Sequence, residues 1–311
     1  MFKITTENFG SRLRYILNNS NGNSRCGFVP SFGANINELQ LSRSGKTFQL
    51  LDGYKAEPQL LSNEKSRNIH LLPFPNRIRD GKYFFDGKEY TLDINKPDEN
   101  NAIHGFFWNK AFEITDEKCS GTSATVTLQH YYNGDYKGYP FPFIARYGYE
   151  LKDEEFLINV AVINSGKNSM PLGIGWHPYF TFNKRVDELQ LQLPECSILE
   201  TDARLIPNGK RKHYPDFQSL QTIGSHSFDT AFKLDGKNAF ETKLLDAQSG
   251  VTIRLQQDAS FRYLQVYIPP DRNSIALEPM TCPANAFNSG DGLIVLKEKE
   301  RFEGRIKVSL G

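Results

Sequence analysis

The sequence has little cysteine and almost no net charge. Its four cysteines, among 311 residues, lie far apart and form no C-x-x-C pair, which argues against a zinc ribbon, a thioredoxin-like motif and a disulfide framework. The 37 basic residues nearly balance the 36 acidic ones, so the net charge is +1. This balance gives no reason to expect binding to a nucleic acid or to an anionic membrane.

Long apolar runs are absent as well. No stretch of 18 apolar residues occurs, and segment 1–15 has no apolar h-region. Such stretches are typical of membrane-spanning helices and of secretory leaders, respectively. We therefore expect a protein that does not enter a membrane and that works in a reducing cytoplasm.

Several catalytic motifs are missing. Segment 44–48, SGKTF, contains the Gly-Lys-Thr of a phosphate-binding loop, but Gln40 stands where that loop needs a glycine. The sequence has no G-x-S-x-G, H-E-x-x-H or G-x-G-x-x-G pattern, which disfavours a serine hydrolase, a zinc protease and a dinucleotide-dependent dehydrogenase. No cluster of metal-ligating residues is visible either.

What the sequence does contain is alternation of apolar and polar residues with period two, which is typical of half-buried strands. Asn-Gly and Asp-Gly dipeptides between these segments predict tight hairpin turns. No long segment has helical periodicity, and a short helical turn is expected only near 283–289. The pattern predicts an all-β fold, a large antiparallel β-sandwich formed by one domain over 1–311. The clearest predicted strands are 123–132, 155–164, 187–195, 251–257 and 261–269.

Four segments break the strand pattern by placing polar residues among apolar and aromatic ones. They are PFPNRIRDGKY with Arg77, NAIHGFFWNK with His104, GIGWHPYF with His177, and IALEPMTCPANAFN with Glu278. A lone histidine among aromatic residues is most often a hydrogen-bonded core residue, and an arginine in such a loop can simply bind carbonyl groups. A carboxylate between an apolar strand and Pro-Met is harder to explain, because a low-dielectric environment disfavours its charge.

Taken together, these residues suit proton transfer on a polar, uncharged ligand. Histidine titrates near neutrality, and desolvation can raise the pKa of a glutamate toward the same range. One of the two groups can then donate a proton while the other accepts one.

In this order, the motifs Asn-Arg-Ile, His-Gly, His-Pro-Tyr-Phe and Glu-Pro resemble those of the aldose 1-epimerase, or galactose mutarotase-like, family. The resemblance runs from about residue 30 to the C-terminus. It implies a large antiparallel β-sandwich with a sugar bound in an open cleft on one sheet. It also implies interconversion of the α and β anomers of a free monosaccharide without a cofactor. Apart from the resemblance, we expect no metal site and a monomer or homodimer.

The resemblance assigns a role to each candidate residue. Glu278 corresponds to the catalytic base and His177 to the catalytic acid. His104 corresponds to the histidine that assists at the sugar, and Arg77 to the arginine that holds sugar hydroxyls. A substrate-binding aspartate corresponds to Asp229 in SFDTAF.

The sequence departs from the galactose-type pattern near the expected sugar. Phe106 replaces a second glycine after His-Gly, and YPFPF at 139–143 replaces Tyr-Pro-Gly. These changes bear on the substrate and not on the proposed acid and base. Trp108, Trp176 and Phe180 are candidates for packing against a sugar ring, although a core position is the better explanation for at least two of them.

Three alternatives remain open from the sequence. A sugar-phosphate (hexose-6-phosphate) 1-epimerase needs a basic group aimed at a phosphate, and the sequence places none. A non-catalytic carbohydrate-binding protein of the same fold does not need both Glu278 and His177. A glycoside hydrolase usually needs two carboxylates, for which Asp229 and Glu278 are available, but then the histidines have no role.

Overall fold

In the computed structural model, which describes residues 1–311, strands are the main secondary structure and helices are few and short. Strands of the first half are β1 (Lys3–Phe9), β2 (Arg12–Asn18), β3 (Arg25–Val29), β4 (Asn35–Arg43), β5 (Lys46–Gln49), β6 (His70–Leu71), β7 (Arg77–Arg79), β8 (Lys82–Phe85), β9 (Lys88–Thr91), β10 (Asn101–Ile103), β11 (Glu113–Cys119), β12 (Ala124–Tyr132) and β13 (Phe143–Leu151).

Strands of the second half are β14 (Glu155–Asn164), β15 (Met170–Leu172), β16 (Gly175–Trp176), β17 (Tyr179–Phe180), β18 (Gln190–Gln192), β19 (Cys196–Thr201), β20 (Pro207–His213), β21 (Gln221–Thr222), β22 (Asp229–Leu234), β23 (Phe240–Asp246), β24 (Val251–Gln257), β25 (Tyr263–Tyr267), β26 (Ile275–Met280), β27 (Ile294–Leu296) and β28 (Arg301–Leu310). The α-helices are α1 (Glu57–Leu61) and α2 (Ala286–Ser289), and 3-10 turns cover Glu64–Ser66, Pro97–Glu99 and Val186–Glu188.

Two large antiparallel sheets form the sandwich. The nine-stranded sheet has the order β11-β12-β13-β14-β28-β24-β23-β18-β21. The eight-stranded sheet has the order β20-β19-β22-β25-β26-β16-β6, and β17 also pairs with β26. A five-stranded sheet, β1 to β5, precedes them, and three two-stranded ribbons, β7/β10, β8/β9 and β15/β27, complete the fold.

Sequence alternation explains how the large sheets pack. Along β13, every second residue is buried and the residues between them are partly exposed, because successive side chains of a strand point to opposite faces. Apolar residues from both large sheets belong to one core cluster of 64 buried residues. The predicted all-β sandwich is therefore confirmed.

The predicted segments agree with the observed strands and helices to different degrees. Segments 155–164 and 251–257 are strands over their whole length, and the short helix α2 lies where a helical turn was expected. In 187–195 only β18 is a strand, because a 3-10 turn precedes it. Helix α1 was not anticipated, and it has just five residues. No helix in the structure combines the length and apolarity that crossing a bilayer requires.

The Asp-Gly dipeptide at 86–87 forms the predicted hairpin between β8 and β9, whereas the one at 80–81 is a turn between β7 and β8, which do not pair with each other. Asp80 and Gly81 both have positive φ, 56° and 61°, and Asp86 and Gly87 repeat this with 50° and 73°. Positive φ at two successive residues is the requirement of a tight hairpin turn that matches the strand twist. These turns flank β8, and the second one closes the ribbon β8/β9.

Candidate active site

Neighbouring strands of the eight-stranded sheet place three polar side chains side by side. Glu278 on β26 lies opposite Gln265 on β25, and Asp229 on β22 lies opposite Tyr267 on β25. Gln265 and Tyr267 are two residues apart and therefore share a face of the sheet. The strand register thus gathers these groups on one surface.

His177 reaches the same surface from the short link between β16 and β17, both of which pair with β26. Its backbone N–H donates to the carbonyl of Ile69, with N and O 3.0 Å apart. Its ring stacks on that of Tyr179 with centroids 5.1 Å apart and planes inclined by 8°. Backbone and ring are both held, so the orientation of the imidazole is fixed by packing.

The ribbon β7/β10 supplies the remaining candidates. Ile103 pairs with Arg77 in the ribbon register, and His104 follows Ile103 directly. His104 adopts a positive φ of 64°, which is uncommon for a residue other than glycine. Gly105 is also left-handed, and a Cβ there would lie 2.0 Å from the carbonyl oxygen of Leu72. This turn therefore requires glycine and aims His104 across the sheet.

All five residues singled out from the sequence line one cavity of about 280 Å³. The structure thus brings Arg77, His104, His177, Asp229 and Glu278 together, although they are spread over two hundred positions of the chain. Its full lining is Lys65, Ser66, Asn76, Arg77, Lys96, Glu99, Ile103, His104, His177, Tyr179, Asp229, Gln265, Tyr267 and Glu278.

His177 and Glu278 contact each other at the bottom of this cavity. Nε2 of His177 lies 3.3 Å from Oε1 of Glu278, and the two side chains are 7% and 3% exposed. Nδ1 of His177 and Oε2 of Glu278 are buried without a hydrogen-bond partner. Each such group costs about 1–3 kcal/mol relative to a satisfied one. The pair is therefore left with unused hydrogen-bonding capacity in a cavity large enough for a small ligand.

Burial shifts the two pKa values in opposite directions. It raises the pKa of Glu278 well above its ordinary value, with Asp229 adding to the rise and Arg77 opposing it. It lowers the pKa of His177 to about 4. These opposite shifts favour a proton on the carboxyl group over one on the imidazole, which leaves both groups neutral.

His104 lies beside this pair with its ring centroid 5.1 Å from that of His177. Its Nδ1 accepts a hydrogen bond from the backbone N–H of Asn76 at 3.3 Å. Burial, and then the neighbouring His177, lower the pKa of His104 well below its ordinary value. A neutral imidazole that accepts at Nδ1 carries its proton on Nε2, so His104 is a neutral donor.

Arg77 is fixed by two side chains. Its Nε and Nη2 donate to the two carboxylate oxygens of Glu99, at 2.5 and 3.0 Å, and its Nη1 donates to Oδ1 of Asn76 at 3.1 Å. These bonds lower the pKa of Glu99. An arginine has five N–H donors, so two remain for a ligand in the cavity.

Hydrogen bonds between side chains connect Asp229 to Asn76 through Gln265. Nε2 of Gln265 donates to Oδ1 of Asp229 at 2.7 Å, and Oε1 of Gln265 accepts from Nδ2 of Asn76 at 3.3 Å. Asp229 is exposed at the cavity mouth. Lost hydration along the cavity wall raises its pKa, and Arg77 opposes the rise. Gln265 therefore positions both Asp229 and the Asn76–Arg77 pair.

Comparison with known protein families identifies the family of the chain. A sequence model of the aldose 1-epimerase family matches residues 15–309. The chain belongs to the aldose 1-epimerase family.

Relatives within the aldose 1-epimerase family vary in how far they are characterised. The uncharacterized protein YihR of Escherichia coli K12 is 34% identical over 73% of each chain. Galactose mutarotase of Rattus norvegicus is 26% identical over 77% of this chain and 70% of its own. A galactose mutarotase-like protein of Clostridium acetobutylicum has the same fold, with a TM-score of 0.89 over 100% of this chain and 98% of its own, at 22% identity.

Aromatic residues divide as expected for an aldose 1-epimerase-like β-sandwich with a large core. Trp176 and Phe180 are fully buried and do not line the cavity. Trp108 is partly exposed but lies outside the cavity as well. The aromatic rings that do face the cavity belong to Tyr179 and Tyr267, which sequence reasoning did not single out.

Sequence reasoning also missed Glu99, Gln265, Lys65 and Lys96. Gln265 lies in the predicted strand 261–269, where strand pairing with the Glu278 segment would have pointed to it. The other three lie in or beside loops and short 3-10 turns, and their segments carry no pattern that distinguishes them from solvated surface.

Proposed function

We propose that the protein is an aldose 1-epimerase that interconverts the α and β anomers of a free monosaccharide by opening and reclosing its ring. The observation that carries this proposal is the buried contact between His177 and Glu278, with its two unpartnered polar atoms. Ring opening removes a proton from the C1 hydroxyl and delivers one to the ring oxygen. Both oxygens are bonded to the same carbon, so the acid and the base must be close neighbours, as this pair is.

Each step conserves its protons. The Glu278 carboxylate takes the proton of the C1 hydroxyl, the bond between C1 and the ring oxygen breaks, and the ring oxygen takes a proton from the His177 imidazolium. The products are an open-chain aldehyde, a protonated Glu278 and a neutral His177. Rotation about C1–C2 and the reverse transfers then close the ring on the other face of the aldehyde.

The pKa directions specify how this cycle starts. With no ligand the proton lies on Glu278, because burial raises its pKa and lowers that of His177. Ring opening therefore begins with transfer of this proton to His177 across the 3.3 Å contact. The neutral pair is also the state that ring opening produces, so no proton has to enter or leave the cavity during turnover.

The remaining residues bind the sugar. His104 donates from Nε2, and Arg77 offers its two free N–H groups to hydroxyls. Asp229, at the mouth, accepts from a hydroxyl. Such mixed donors and acceptors suit a polyhydroxylated, uncharged ligand.

A second candidate, an aldose with an anionic substituent such as a 6-phosphate, is favoured by the ammonium groups of Lys65 and Lys96, which also line the cavity. Both are already paired with carboxylates, Lys65 with Asp271 and Lys96 with Asp98 at 2.9 Å. A free sugar leaves those ion pairs intact, whereas a phosphate has to compete with them. This difference places the free aldose first.

A decisive experiment follows freshly dissolved α anomers of glucose, galactose and their 6-phosphates by anomer-resolved NMR. We expect the purified protein to accelerate the approach to equilibrium for at least one free aldose, and the E278Q variant to lose this activity. Greater acceleration with the phosphates would favour the second candidate. Sugar binding without acceleration for any aldose would contradict an enzyme and establish a binding protein.

A further inference from the structure

A second cavity, of about 330 Å³, lies next to the first. The two share the segment 103–106. Ile103 lines both cavities, His104 lines the first, and Gly105 and Phe106 line the second. The mechanism proposed above uses no residue of this second cavity.

Five of its thirteen lining residues are aromatic. Phe106, which departs from the galactose-type pattern, is partly exposed there, with its ring centroid 5.5 Å from that of Tyr132 and 5.2 Å from that of Tyr136. Trp108 is also partly exposed, in edge contact with Phe32 at 5.4 Å. A hollow lined by aromatic faces that remain in contact with water is typical of a ligand site.

Polar groups of both signs surround this aromatic surface. Lys110 forms no salt bridge and its side chain makes no hydrogen bond. Asp93 has no basic partner, but its backbone N–H donates to the Tyr136 hydroxyl at 2.6 Å and its carboxylate bonds the same hydroxyl. The side chain of Asn95 is held by the backbone of Ile103. Its Nδ2 donates to the Ile103 carbonyl at 2.9 Å, and its Oδ1 accepts from the Ile103 N–H at 2.7 Å. The cavity thus combines aromatic faces with an unpaired ammonium and a carboxylate that has no basic partner.

We propose that this second cavity binds one pyranose ring, independently of the first cavity. The C–H bonds of a pyranose carry slight positive charge and pack on the negative faces of aromatic rings. Its hydroxyls both donate and accept, so they can use Asp93 and Lys110 at once. That the ligand is a sugar and not another flat molecule rests on the function proposed above.

The chain contains a built-in probe for the test. It has two tryptophans. Trp108 lines the second cavity and Trp176 is fully buried in the core. Intrinsic fluorescence should be titrated with D-glucose and D-galactose for the wild type and for the W108F, K110A and K118A variants. Lys118, an exposed lysine on β11, is the matched control for Lys110.

We expect a saturable change in wild-type fluorescence that is lost in W108F. Loss of a hydrogen bond to a charged group should raise Kd about tenfold or more in K110A, while K118A should bind like the wild type. No saturable change with either sugar, a change that persists in W108F, or an unaltered Kd in K110A would overturn the proposal. A Trp108 response in a protein that epimerises no aldose would instead refute the proposed function and leave the second site standing.

Discussion

Two buried histidines, His70 and His177, show what distinguishes a site from a core. They belong to adjacent segments, since His70 pairs with Trp176 in the strand register. Both rings stack on a tyrosine, His70 on Tyr147 at 3.9 Å and His177 on Tyr179. Burial lowers the pKa of both, to about 3 for His70 and about 4 for His177. Burial and stacking therefore do not separate them.

The hydrogen bonds of the two histidines do separate them. Nε2 of His70 bonds the hydroxyl of Tyr149 at 2.6 Å, and that hydroxyl in turn donates to the carbonyl of Ala34 at 2.7 Å. His177 instead contacts a buried carboxyl group and keeps an unpartnered Nδ1. The first arrangement is complete without a ligand, whereas the second is completed by one. Unsatisfied polar atoms beside a cavity, and not an unusual pKa, mark the candidate site.

The largest expected effect comes from removing the acid or the base. E278Q and H177N should each lower kcat by about 10²–10⁴-fold, because a positioned proton donor or acceptor contributes that much. Polarimetry on a freshly dissolved anomer measures this. Near wild-type turnover in either variant would remove that residue from the mechanism.

The same comparison predicts the reverse behaviour for His70. H70F keeps the stack on Tyr147 but loses the bond to Tyr149, which should lower the free energy of unfolding by about 1–3 kcal/mol. Its kcat should stay within a small factor of the wild-type value. Urea unfolding and polarimetry on one preparation check both statements, and a large loss of kcat with unchanged stability would contradict the distinction between the two histidines.

Much of this distinction could not be read from the sequence. Alternation predicted strands of the sandwich, and the Asp-Gly dipeptide at 86–87 predicted the β8/β9 hairpin, because both signals are local. The motifs named Arg77, His104, His177, Asp229 and Glu278, and the structure places all five in one cavity, while their roles stay predictions.

Contacts between distant segments have no local signal. The bond from Gln265 to Asp229 depends on strand register, and the hold of Glu99 on Arg77 depends on how a 3-10 turn lies against β7. Burial is equally non-local: His70 and His177 occur in similar apolar surroundings along the chain, and only the fold gives one of them Tyr149 and the other Glu278.

A substitution of Glu99 tests the cavity around His177, with a smaller expected effect on activity. E99Q can accept from only one arginine nitrogen at a time, so Arg77 should be less well oriented for sugar hydroxyls. We expect KM to rise about tenfold, the equivalent of one lost hydrogen bond of about 1.4 kcal/mol, with a smaller change in kcat. D202N is the matched control, because Asp202 pairs with Arg79 outside the cavity. An equal effect of both variants would show that Glu99 acts on stability alone.

The pH dependence of stability offers the last test, and it concerns Glu278 without reference to activity. Because the folded-state pKa of Glu278 is raised, the folded protein keeps this proton at pH values where the unfolded chain has released it. The stability contributed by the protonated form is complete below the unfolded pKa and is lost as pH rises toward the folded pKa, by at most about 1.4 kcal/mol per pH unit.

Gln does not titrate, so E278Q should become progressively more stable than the wild type from pH 5 upward, as measured by urea unfolding at a series of pH values. His70 is present in both proteins and bonds Tyr149 and not Glu278, so its titration cancels to first order. A stability difference that is independent of pH would mean that Glu278 is ionised in the folded protein, and the proton would then have to start on His177 and not on the carboxyl group.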